Sequence, residues 1–479
     1  MESPPVIVCF RRDLRLADNP ALHAARESGA PVAPVFILDE EEAFAPGGAA
    51  KWWLHRSLKA FASNLEKAGA SLILKRGRAA EIIPSLADAI KASAVYWNRR
   101  YAPAHVEADK ALKAALTDAG YEVKSFSAAL LREPWEVETK SGGPFRVYTP
   151  FWKALSAKGP TRKALPGLRK VNGLGEAVPS DELDDWNLEP RNPDWARGFA
   201  EMWRPGESGA HAALREFLEG PAASYARGRD MPALSATSRL SPHLAFGEIS
   251  PVQVWQATHA QVESGGISRQ AGEKFLSEIG WRDFSYNLLF YNEGMDERPL
   301  RTEFASFPWR NDPKGLDAWK KGRTGYPIVD AGMRQLWRTG WMHNRVRMIA
   351  ASFLVKDLLI PWQEGARWFQ DTLVDADPAN NSASWQWVAG SGADAAPFFR
   401  IFNPVSQGEK FDPAGDYVRE YVPELAGLPA EFIHAPWKAP EATLKKAGVT
   451  LGETYPEPVV DHAFARTRAL DAFKTIKKS

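Results

Sequence analysis

Residues 4–10, Pro-Pro-Val-Ile-Val-Cys-Phe, form the first of five short β-branched runs, and these runs decide the fold. The other four runs are the segments 31–38, 71–77, 94–99 and 122–126. Amphipathic stretches separate them, and the clearest, 49–70, repeats its apolar residues at helical spacing. Strands that alternate with helices predict an α/β fold with a doubly wound parallel sheet.

The first strand is not followed by a glycine loop for a dinucleotide. The turn reads Phe10-Arg11-Arg12-Asp13-Leu14-Arg15, with neither a G-x-G-x-x-G pattern nor a Walker A motif. Gly29, Gly69 and Gly120 instead follow three of the amphipathic stretches, where a left-handed helix cap is expected.

Beyond the sheet, the pattern changes twice. Residues 132–205 contain Pro and Gly throughout and are interpreted as a long connector, and from 206 the pattern is helical to residue 479. The prediction is therefore an α/β domain over 1–131, a connector over 132–205 and an all-α domain over 206–479. Within the last, a long helical run is expected between Ala331 and Leu359, with an apolar stripe that includes Val346, Ile349 and Phe353.

Composition excludes several classes of protein. The 479 residues are 44% hydrophobic and 25% charged, which is typical of globular domains rather than disordered chains. The single cysteine, Cys9, excludes a disulfide framework and a four-cysteine metal site, and the nine histidines lack zinc-site spacing. We expect no metal. The N-terminus lacks the pattern of a secretory signal, so a cytoplasmic location is expected.

Two compositional features are open to more than one interpretation. Ten of the 19 tryptophans fall within 255–387. They are interpreted as core packing, as stacking surfaces or as redox-active side chains. The net charge is +1, yet residues 320–347 hold seven Lys/Arg and one acid, Asp330. That stretch is either a phosphate-binding patch or a solvated basic face.

Three stretches carry residue types suited to ligand chemistry. In 225–244, the hydroxyls of Thr237, Ser238 and Ser241 at a helix start suit a phosphate group, although a simple N-cap is the alternative. In 275–284, Glu278 shares a helix face with Trp281 and Arg282. This face either stacks and hydrogen-bonds a base or is an Arg–Glu pair beside a core Trp.

The third stretch runs from 340 to 348 and continues at 375–387. Arg345 and Arg347 could bind phosphates, and Asp375 and Asp377 could accept hydrogen bonds from a ring imide and hydroxyls. Without that cluster, the segment would pass as an amphipathic helical core.

Taken together, the motifs of the chain resemble those of the photolyase/cryptochrome family. The matching segments are Phe-Arg-Arg-Asp-Leu-Arg-Leu-Ala-Asp-Asn-Pro (10–20), Thr-Gly-Tyr-Pro (324–327), Gly-Trp-Met-His-Asn (340–344) and Trp-Gln-Trp (385–387). Within the family, the chain most resembles bacterial class III photolyases. The resemblance implies a carbon–carbon lyase that repairs cyclobutane pyrimidine dimers by light-driven electron transfer from reduced FAD.

The resemblance also implies which residues hold FAD within the helical domain. They are Tyr225, Thr237, Ser238, Leu240, Ser241, Arg282, Asn344, Arg347, Asp375, Asp377 and Asn381. Asn381 matches the position that faces the flavin N5, where a neutral amide favours repair from the fully reduced cofactor. Plant cryptochromes resemble the chain but carry Asp there.

For the substrate, the resemblance implies a quartet of residues that contact the dimer: Glu278, Trp281, Met348 and Trp387. Glu278 would also act in catalysis. The residues implied as contacts to the flanking DNA phosphates are Arg229, Arg345, Arg400 and Lys410. The implied electron-transfer triad runs from Trp309 through Trp362 to Trp385, with Trp309 outermost.

Further implications are a second chromophore, a monomer and damaged DNA as partner. The expected antenna in the α/β domain is a folate, 5,10-methenyltetrahydrofolate, whose pocket the sequence does not assign. Pro378 and the segment 382–384 depart from the family pattern before Trp385. The alternative functions are a blue-light signalling cryptochrome without repair activity and, less in keeping with Asn381 and the tryptophans, a DNA-binding protein that does not use light.

Overall fold

The structure, a computed structural model, describes residues 3–476. Packing separates the described residues into two compact units. Within the described residues, the first unit comprises 3–223, Ser238–Glu293 and Val374–Ala379, and the second comprises Ser224–Thr237, Gly294–Leu373 and 380–476. The domain boundaries at 131 and 205 stay a prediction. No helix within 3–476 is long and apolar enough to cross a membrane.

The first unit contains the five-stranded parallel sheet that the sequence predicts. The strands are β1 (Val6–Phe10), β2 (Val32–Leu38), β3 (Ile73–Arg76), β4 (Ala94–Asn98) and β5 (Glu122–Phe126). Their order is β3-β2-β1-β4-β5, and Val6 is paired with both Val32 and Ala94. The chain therefore builds one half of the sheet outward from β1, then crosses to β4, as a doubly wound fold requires.

Twenty α-helices accompany the sheet over residues 3–476, numbered in chain order. They are α1 (Pro20–Glu27), α2 (Gly48–Ala68), α3 (Ala79–Ala89), α4 (Pro103–Asp118), α5 (Tyr148–Lys158), α6 (Phe199–Met202), α7 (Glu207–Glu219), α8 (Tyr225–Gly228), α9 (Ser241–Ala245), α10 (Pro251–Glu263), α11 (Arg269–Tyr291), α12 (Pro313–Lys320), α13 (Pro327–Thr339), α14 (Asn344–Ser352), α15 (Trp362–Thr372), α16 (Pro378–Ala389), α17 (Pro404–Phe411), α18 (Asp416–Tyr421), α19 (Glu441–Ala447) and α20 (His462–Ile476).

Alternate residues of the strands form the hydrophobic core of the sheet. One cluster of fully buried side chains includes Ile7, Val35, Val95 and Trp97, and α3 and α4 cover it with Leu86 and Leu116 among others. The predicted helix caps are confirmed, because Gly29, Gly69 and Gly120 adopt φ values of 76°, 99° and 92°. Only Gly adopts this left-handed conformation without strain.

The predicted connector is part of the first unit and packs against its other elements. The amide of Val171 donates to the carbonyl of Ala68 at 2.7 Å, and the amide of Val32 donates to the carbonyl of Asn172 at 2.7 Å. Leu168, Val171 and Trp186 are buried. This segment therefore contributes core and hydrogen bonds, which is typical of long connections in folded domains.

The second unit is helical, but one predicted element is wrong in detail. The run between Ala331 and Leu359 is not one helix: α13 ends at Thr339, where Gly340 caps it with a φ of 67°, and α14 begins at Asn344. A π-helical turn, Phe353–Asp357, follows α14. The apolar stripe is nevertheless buried as expected, since Val346, Ile349 and Phe353 are at most 1% exposed.

Candidate active site

Helix α11 in the first unit presents the face that the sequence predicts. Ser268 caps its N-terminus by accepting from the amide of Ala271 at 3.2 Å. Glu278 lies one turn from Trp281 on this helix, and its side chain is 27% exposed. The ammonium of Lys274 lies 3.6 Å from the Glu278 carboxylate. A carboxylate and a large ring thus share one partly exposed helix face.

Trp281 is not simply a core residue. It is partly exposed, and one face of its indole stacks on the ring of Tyr148, with ring centroids 3.6 Å apart and an interplanar angle of 10°. Phe284 approaches both rings edge-on. The indole is thereby held flat, an arrangement suited to stacking.

Arg282 is largely buried, and its guanidinium is held by protein groups. Its guanidinium donates to the carbonyl of Ala129 at 2.6 Å and lies 4.8 Å from the ring centroid of Tyr286. The alternative interpretation of this helix face was an Arg–Glu pair. In the structure, the guanidinium of Arg282 is instead held by the carbonyl of Ala129. Its role at the cofactor stays a prediction.

Tyr286 links this helix face to Asp377. The phenol of Tyr286 donates to the Asp377 carboxylate, and burial raises the pKa of Tyr286, so the phenol keeps its proton. Asp375 and Asp377 are 8% and 4% exposed. Ala376 lies between these two aspartates in the chain. Its carbonyl accepts a hydrogen bond of 3.0 Å from Arg12, which belongs to the turn after β1. The opening motif therefore holds the acidic segment in place.

The predicted phosphate-binding turn precedes α9. The amide of Leu240 donates to the Ser238 hydroxyl at 3.4 Å, and α9 begins at Ser241. Arg239, between these residues, has a φ of 52°, a conformation that non-glycine side chains rarely adopt. The turn is a helix start, as both interpretations of the sequence require, and the assignment to phosphate stays a prediction.

In the second unit, the segment around α14 gathers several cationic side chains. Arg345 pairs with Asp230, with 2.8 Å between Nη2 and Oδ1, and lies 4.4 Å from the ring centroid of Phe411. Arg347 donates from Nε to the carbonyl of Met342 at 2.7 Å. Both arginines thus bond to protein groups in addition to any ligand.

His343 caps α14 and leaves a buried donor. Its Nδ1 accepts from the amide of Arg345 at 3.2 Å, so the proton of the neutral ring lies on Nε2. Burial is the main cause that lowers the pKa of His343 to about 4. Among the described residues, neither His343 Nε2 nor Arg345 Nε has a hydrogen-bond partner. Two buried donors at one helix start fit a bound group rich in hydrogen-bond acceptors.

The other predicted residues of the second unit before α14 lie around α8. Tyr225 begins α8 and is 7% exposed, and the guanidinium of Arg229 lies 5.3 Å from its ring centroid. Thr237 is partly buried, and Asn344 is exposed at the first position of α14. Gly228 faces Ala236, where an added Cβ would meet the alanine Cβ at 2.7 Å. This turn is tightly closed.

Asn381 and four further predicted residues can be placed individually. The Asn381 side-chain amide donates from Nδ2 to the carbonyl of Ala366 at 2.9 Å, which fixes its orientation. Met348 and Trp387 are partly exposed, and Arg400 is exposed. Lys410 is exposed as well, with its ammonium 5.1 Å from the ring centroid of Phe411.

The three tryptophans of the predicted triad differ in burial in the predicted sense. Trp385 and Trp362 are 2% and 1% exposed, whereas Trp309 is only partly buried and packs on Phe307 at 4.3 Å between centroids. Trp385 also contacts Trp319 and Phe369, at 6.1 and 5.0 Å between centroids. The electron route stays a prediction.

The departures from the family pattern are accommodated. Pro378 occupies the start of α16, where a missing N–H costs nothing.

The basic stretch 320–347 is partly neutralised by acids from elsewhere in the second unit: Arg334 pairs with Glu424 at 2.7 Å, and Arg345 pairs with Asp230. A count within one sequence window cannot detect such partners.

A cavity of about 140 Å³ lies within the first unit at the carboxyl ends of the strands. Five arginines and three acids are among the residues that line it: Arg11, Arg12, Arg99, Arg100, Arg282, Asp13, Asp39 and Glu42. Phe44 and His105 also line it, with ring centroids 5.8 Å apart. Burial and then Arg100 lower the pKa of His105 to about 4.

Sequence reasoning missed two contributors to these arrangements. Tyr286 follows Arg282 at i+4 on α11, so helical spacing alone could have placed it on the predicted face. No sequence signal connects Tyr148 with Trp281, because the two lie far apart in the chain and meet only through tertiary packing.

Comparison with known proteins identifies the family of the chain. Residues 6–168 match the model of a family described as DNA photolyase, and 275–475 match the FAD binding domain of DNA photolyase. A deoxyribodipyrimidine photo-lyase of Agrobacterium fabrum is 54% identical, over 100% of this chain and 99% of the relative. Cryptochrome-1 of Arabidopsis thaliana is 42% identical, over 97% of this chain and 70% of the relative. The crystal structure of a bacterial class III photolyase from Agrobacterium tumefaciens superposes with a TM-score of 0.97 at 54% identity, covering 100% of this chain and 99% of that one.

Proposed function

This chain belongs to the photolyase/cryptochrome family, and from that premise we propose that it is a light-driven DNA repair enzyme that splits cyclobutane pyrimidine dimers. It is a deoxyribodipyrimidine photo-lyase, a carbon–carbon lyase, and its cofactor is FAD. The single observation that carries the proposal is the face of α11, where Glu278 and a Trp281 indole held flat by stacking offer a base both a hydrogen-bond acceptor and a ring.

We infer that FAD is held by the eleven residues predicted from the sequence. The support is chemical: these residues supply hydroxyls, amides, carboxylates and guanidinium groups, and the neighbouring His343 retains a buried donor at Nε2. When bound, reduced FAD supplies, after light absorption, the electron that opens the cyclobutane ring and takes it back afterwards. Asn381 would present a neutral amide whose orientation Ala366 fixes, and an amide offers no carboxylic proton.

The dimer would be bound by Glu278, Trp281, Met348 and Trp387. The two indoles would stack on the apolar ring system, an interaction worth about 1–3 kcal/mol per base. Glu278 would hydrogen-bond the imide edge of a pyrimidine. A carboxyl group that donates its proton in that hydrogen bond would stabilise the negative charge that develops on the dimer. Photolyases reach their target by flipping it out of the duplex, and a damaged base is cheaper to unstack and unpair than an intact one.

Arg229, Arg345, Arg400 and Lys410 would contact the phosphates on either side of the dimer. Such contacts position the DNA without reading its sequence, and they weaken as salt rises. Arg400 and Lys410 are exposed, as this role requires. Trp309, Trp362 and Trp385 would carry an electron inward from the surface to light-excited, oxidised cofactor.

A folate antenna is proposed for the cavity of the first unit. Arginines in its lining offer hydrogen-bond donors to an anionic ligand, although Arg11 and Arg100 also pair with Asp109, and Phe44 and His105 offer rings for a pterin to stack on. Because the pKa of His105 is about 4, its ring is neutral at physiological pH. Addition of 5,10-methenyltetrahydrofolate should extend the action spectrum of repair toward the near ultraviolet, and Phe44→Ala should weaken that gain.

The protein is further proposed to act as a cytoplasmic monomer, with an antenna-binding domain over 1–131, a connector over 132–205 and a domain for FAD and the lesion over 206–479. Cytoplasmic location is supported by a sole cysteine, Cys9, that is buried. Measurement of the molar mass in solution, with and without damaged DNA, tests the monomer.

The decisive experiment offers the reduced protein one defined lesion at a time under blue light. We expect oligonucleotides with a cyclobutane dimer to be restored and those with a (6-4) product to remain unchanged. Glu278→Ala should lower the quantum yield more than the affinity, whereas Glu273→Ala, an exposed control on the same helix, should change neither. Repair of the (6-4) product alone, or of neither lesion, would refute the proposed activity. The latter result is what a signalling cryptochrome would give.

A further inference from the structure

Tyr148 and Trp281 form a close and nearly parallel stacked pair. Their ring centroids are 3.6 Å apart, and the ring planes differ by 10°. Phe284 closes the pair from the side, with its ring edge-on to Tyr148 at 68° and to Trp281 at 75°. Tyr148 is 8% exposed, whereas Trp281 remains partly exposed. One face of the indole is therefore covered by protein.

Two further features fix Tyr148 itself. Its phenol donates to the carbonyl of Ser277, the residue before Glu278 on α11. Gly280 lets α5 approach α11, because a Cβ added there would lie 2.4 Å from Cε3 of Trp152 and 3.0 Å from the oxygen of Tyr148. The ring is thus anchored at its hydroxyl, at its face and through its helix.

We propose that Tyr148 is a positioning residue for repair: it holds Trp281 in the orientation that stacks on the pyrimidine dimer. This proposal rests on the proposed function, since it takes Trp281 as a dimer contact. Tyr148 occupies one face of the indole, so a base stacks on the opposite face. The hydrogen bond to Ser277 also fixes the backbone that carries Glu278, so a single side chain from the connector aligns both dimer contacts of α11.

The physical benefit is preorganisation. A tryptophan that is free to change rotamer must be immobilised when the dimer binds, and the cost of ordering one large side chain corresponds to roughly a 2- to 12-fold loss of affinity. Tyr148 removes that cost before binding. This gain in affinity is expected for the dimer alone. The protein holds an undamaged duplex by its phosphates, and no base of that duplex lies against Trp281.

The test compares variants of α5 by their affinity for a duplex with one cyclobutane dimer and for the same duplex undamaged. Tyr148→Leu removes the ring, and Tyr148→Phe keeps the stack but loses the hydrogen bond. Trp152→Leu is the matched control, because Trp152 packs on Gly280 from the same helix. Thermal unfolding of each variant reports whether the fold is intact.

We expect Tyr148→Leu to lose roughly 2- to 12-fold in affinity for the dimer while binding of undamaged DNA is unchanged. Tyr148→Phe should retain most of the discrimination, and Trp152→Leu should retain all of it. Equal losses in Tyr148→Leu and Trp152→Leu would show that Tyr148 only packs helices and would overturn the proposal, as would full discrimination in Tyr148→Leu.

The baseline is Trp281→Leu. If this variant binds the dimer as well as the wild-type protein does, then Trp281 is not a dimer contact, and the proposed substrate site fails rather than Tyr148 alone. If Trp281→Leu loses discrimination and Tyr148→Leu does not, only the positioning role fails.

Discussion

Gly365 in α15 determines where the indole of Trp385 can lie, and its replacement gives a sharp test of the structure. An alanine Cβ at this position would lie 2.1 Å from Cη2 of Trp385 and within 2.6 Å of Cζ2 and Cζ3. A carbon–carbon contact needs about 3.5 Å, so the indole would have to shift by about 1.4 Å. Trp319 and Phe369 pack against this ring, and Trp385 is only 2% exposed, so little room is available.

The expected cost follows from two opposing effects. Overpacking of a filled core costs about 1–3 kcal/mol, whereas replacement of a helical glycine by alanine gains up to about 1 kcal/mol. Gly365→Ala should therefore lower the free energy of unfolding by up to about 3 kcal/mol, with about 1–2 kcal/mol in the middle of that range. In a Trp385→Phe background the three clashing atoms are missing, so the same change should be neutral or stabilising.

Urea denaturation of the four proteins in this double-mutant cycle measures the coupling. Photoreduction of bound FAD provides a second measurement, because a displaced Trp385 should donate an electron more slowly. An equal loss of stability in both backgrounds would show that the clash lies elsewhere. A Gly365→Ala protein that is more stable than the wild type would refute the packing described for Trp385.

Three further predictions concern DNA binding, pH and electron transfer. Arg345→Ala should reduce the slope of log DNA affinity against log salt concentration by about 0.9, and an unchanged slope would make that residue structural. Asp230→Asn should keep the slope and raise the affinity for DNA, because it releases the guanidinium of Arg345. Since the pKa of His343 is lowered from 6.5 to about 4, the unfolded chain binds more protons between these values. The free energy of unfolding should thus fall by roughly 2 kcal/mol between pH 7 and 5, and by less in His343→Asn, which keeps a capping acceptor; equal pH dependence of the two proteins in urea denaturation would contradict this. Trp362→Phe should slow photoreduction of FAD sharply, and Trp319→Phe should leave it near the wild-type rate; the reverse result in transient absorption would place the route through Trp319.

Local sequence features were enough for the elements and for most of the architecture. The five β-branched runs became the five strands, and the glycines after the helices adopted positive φ, because both depend on the backbone preferences of a few neighbouring residues. The long helix expected between Ala331 and Leu359 was divided instead. Gly340 adopts a left-handed φ of 67° that ends α13, and apolar periodicity does not register such a break.

Family motifs predicted the site residues, but the partners of these residues came from the tertiary structure. Periodicity on α11 aligned Glu278 with Trp281, since residues three and four apart share a face whatever the remainder of the chain does. The stack of Tyr148 on Trp281 and the ion pair of Arg345 with Asp230 could not be anticipated. Each joins groups distant in the chain, and such contacts depend on how helices pack, which is decided by the fit of many side chains at once rather than by any local pattern.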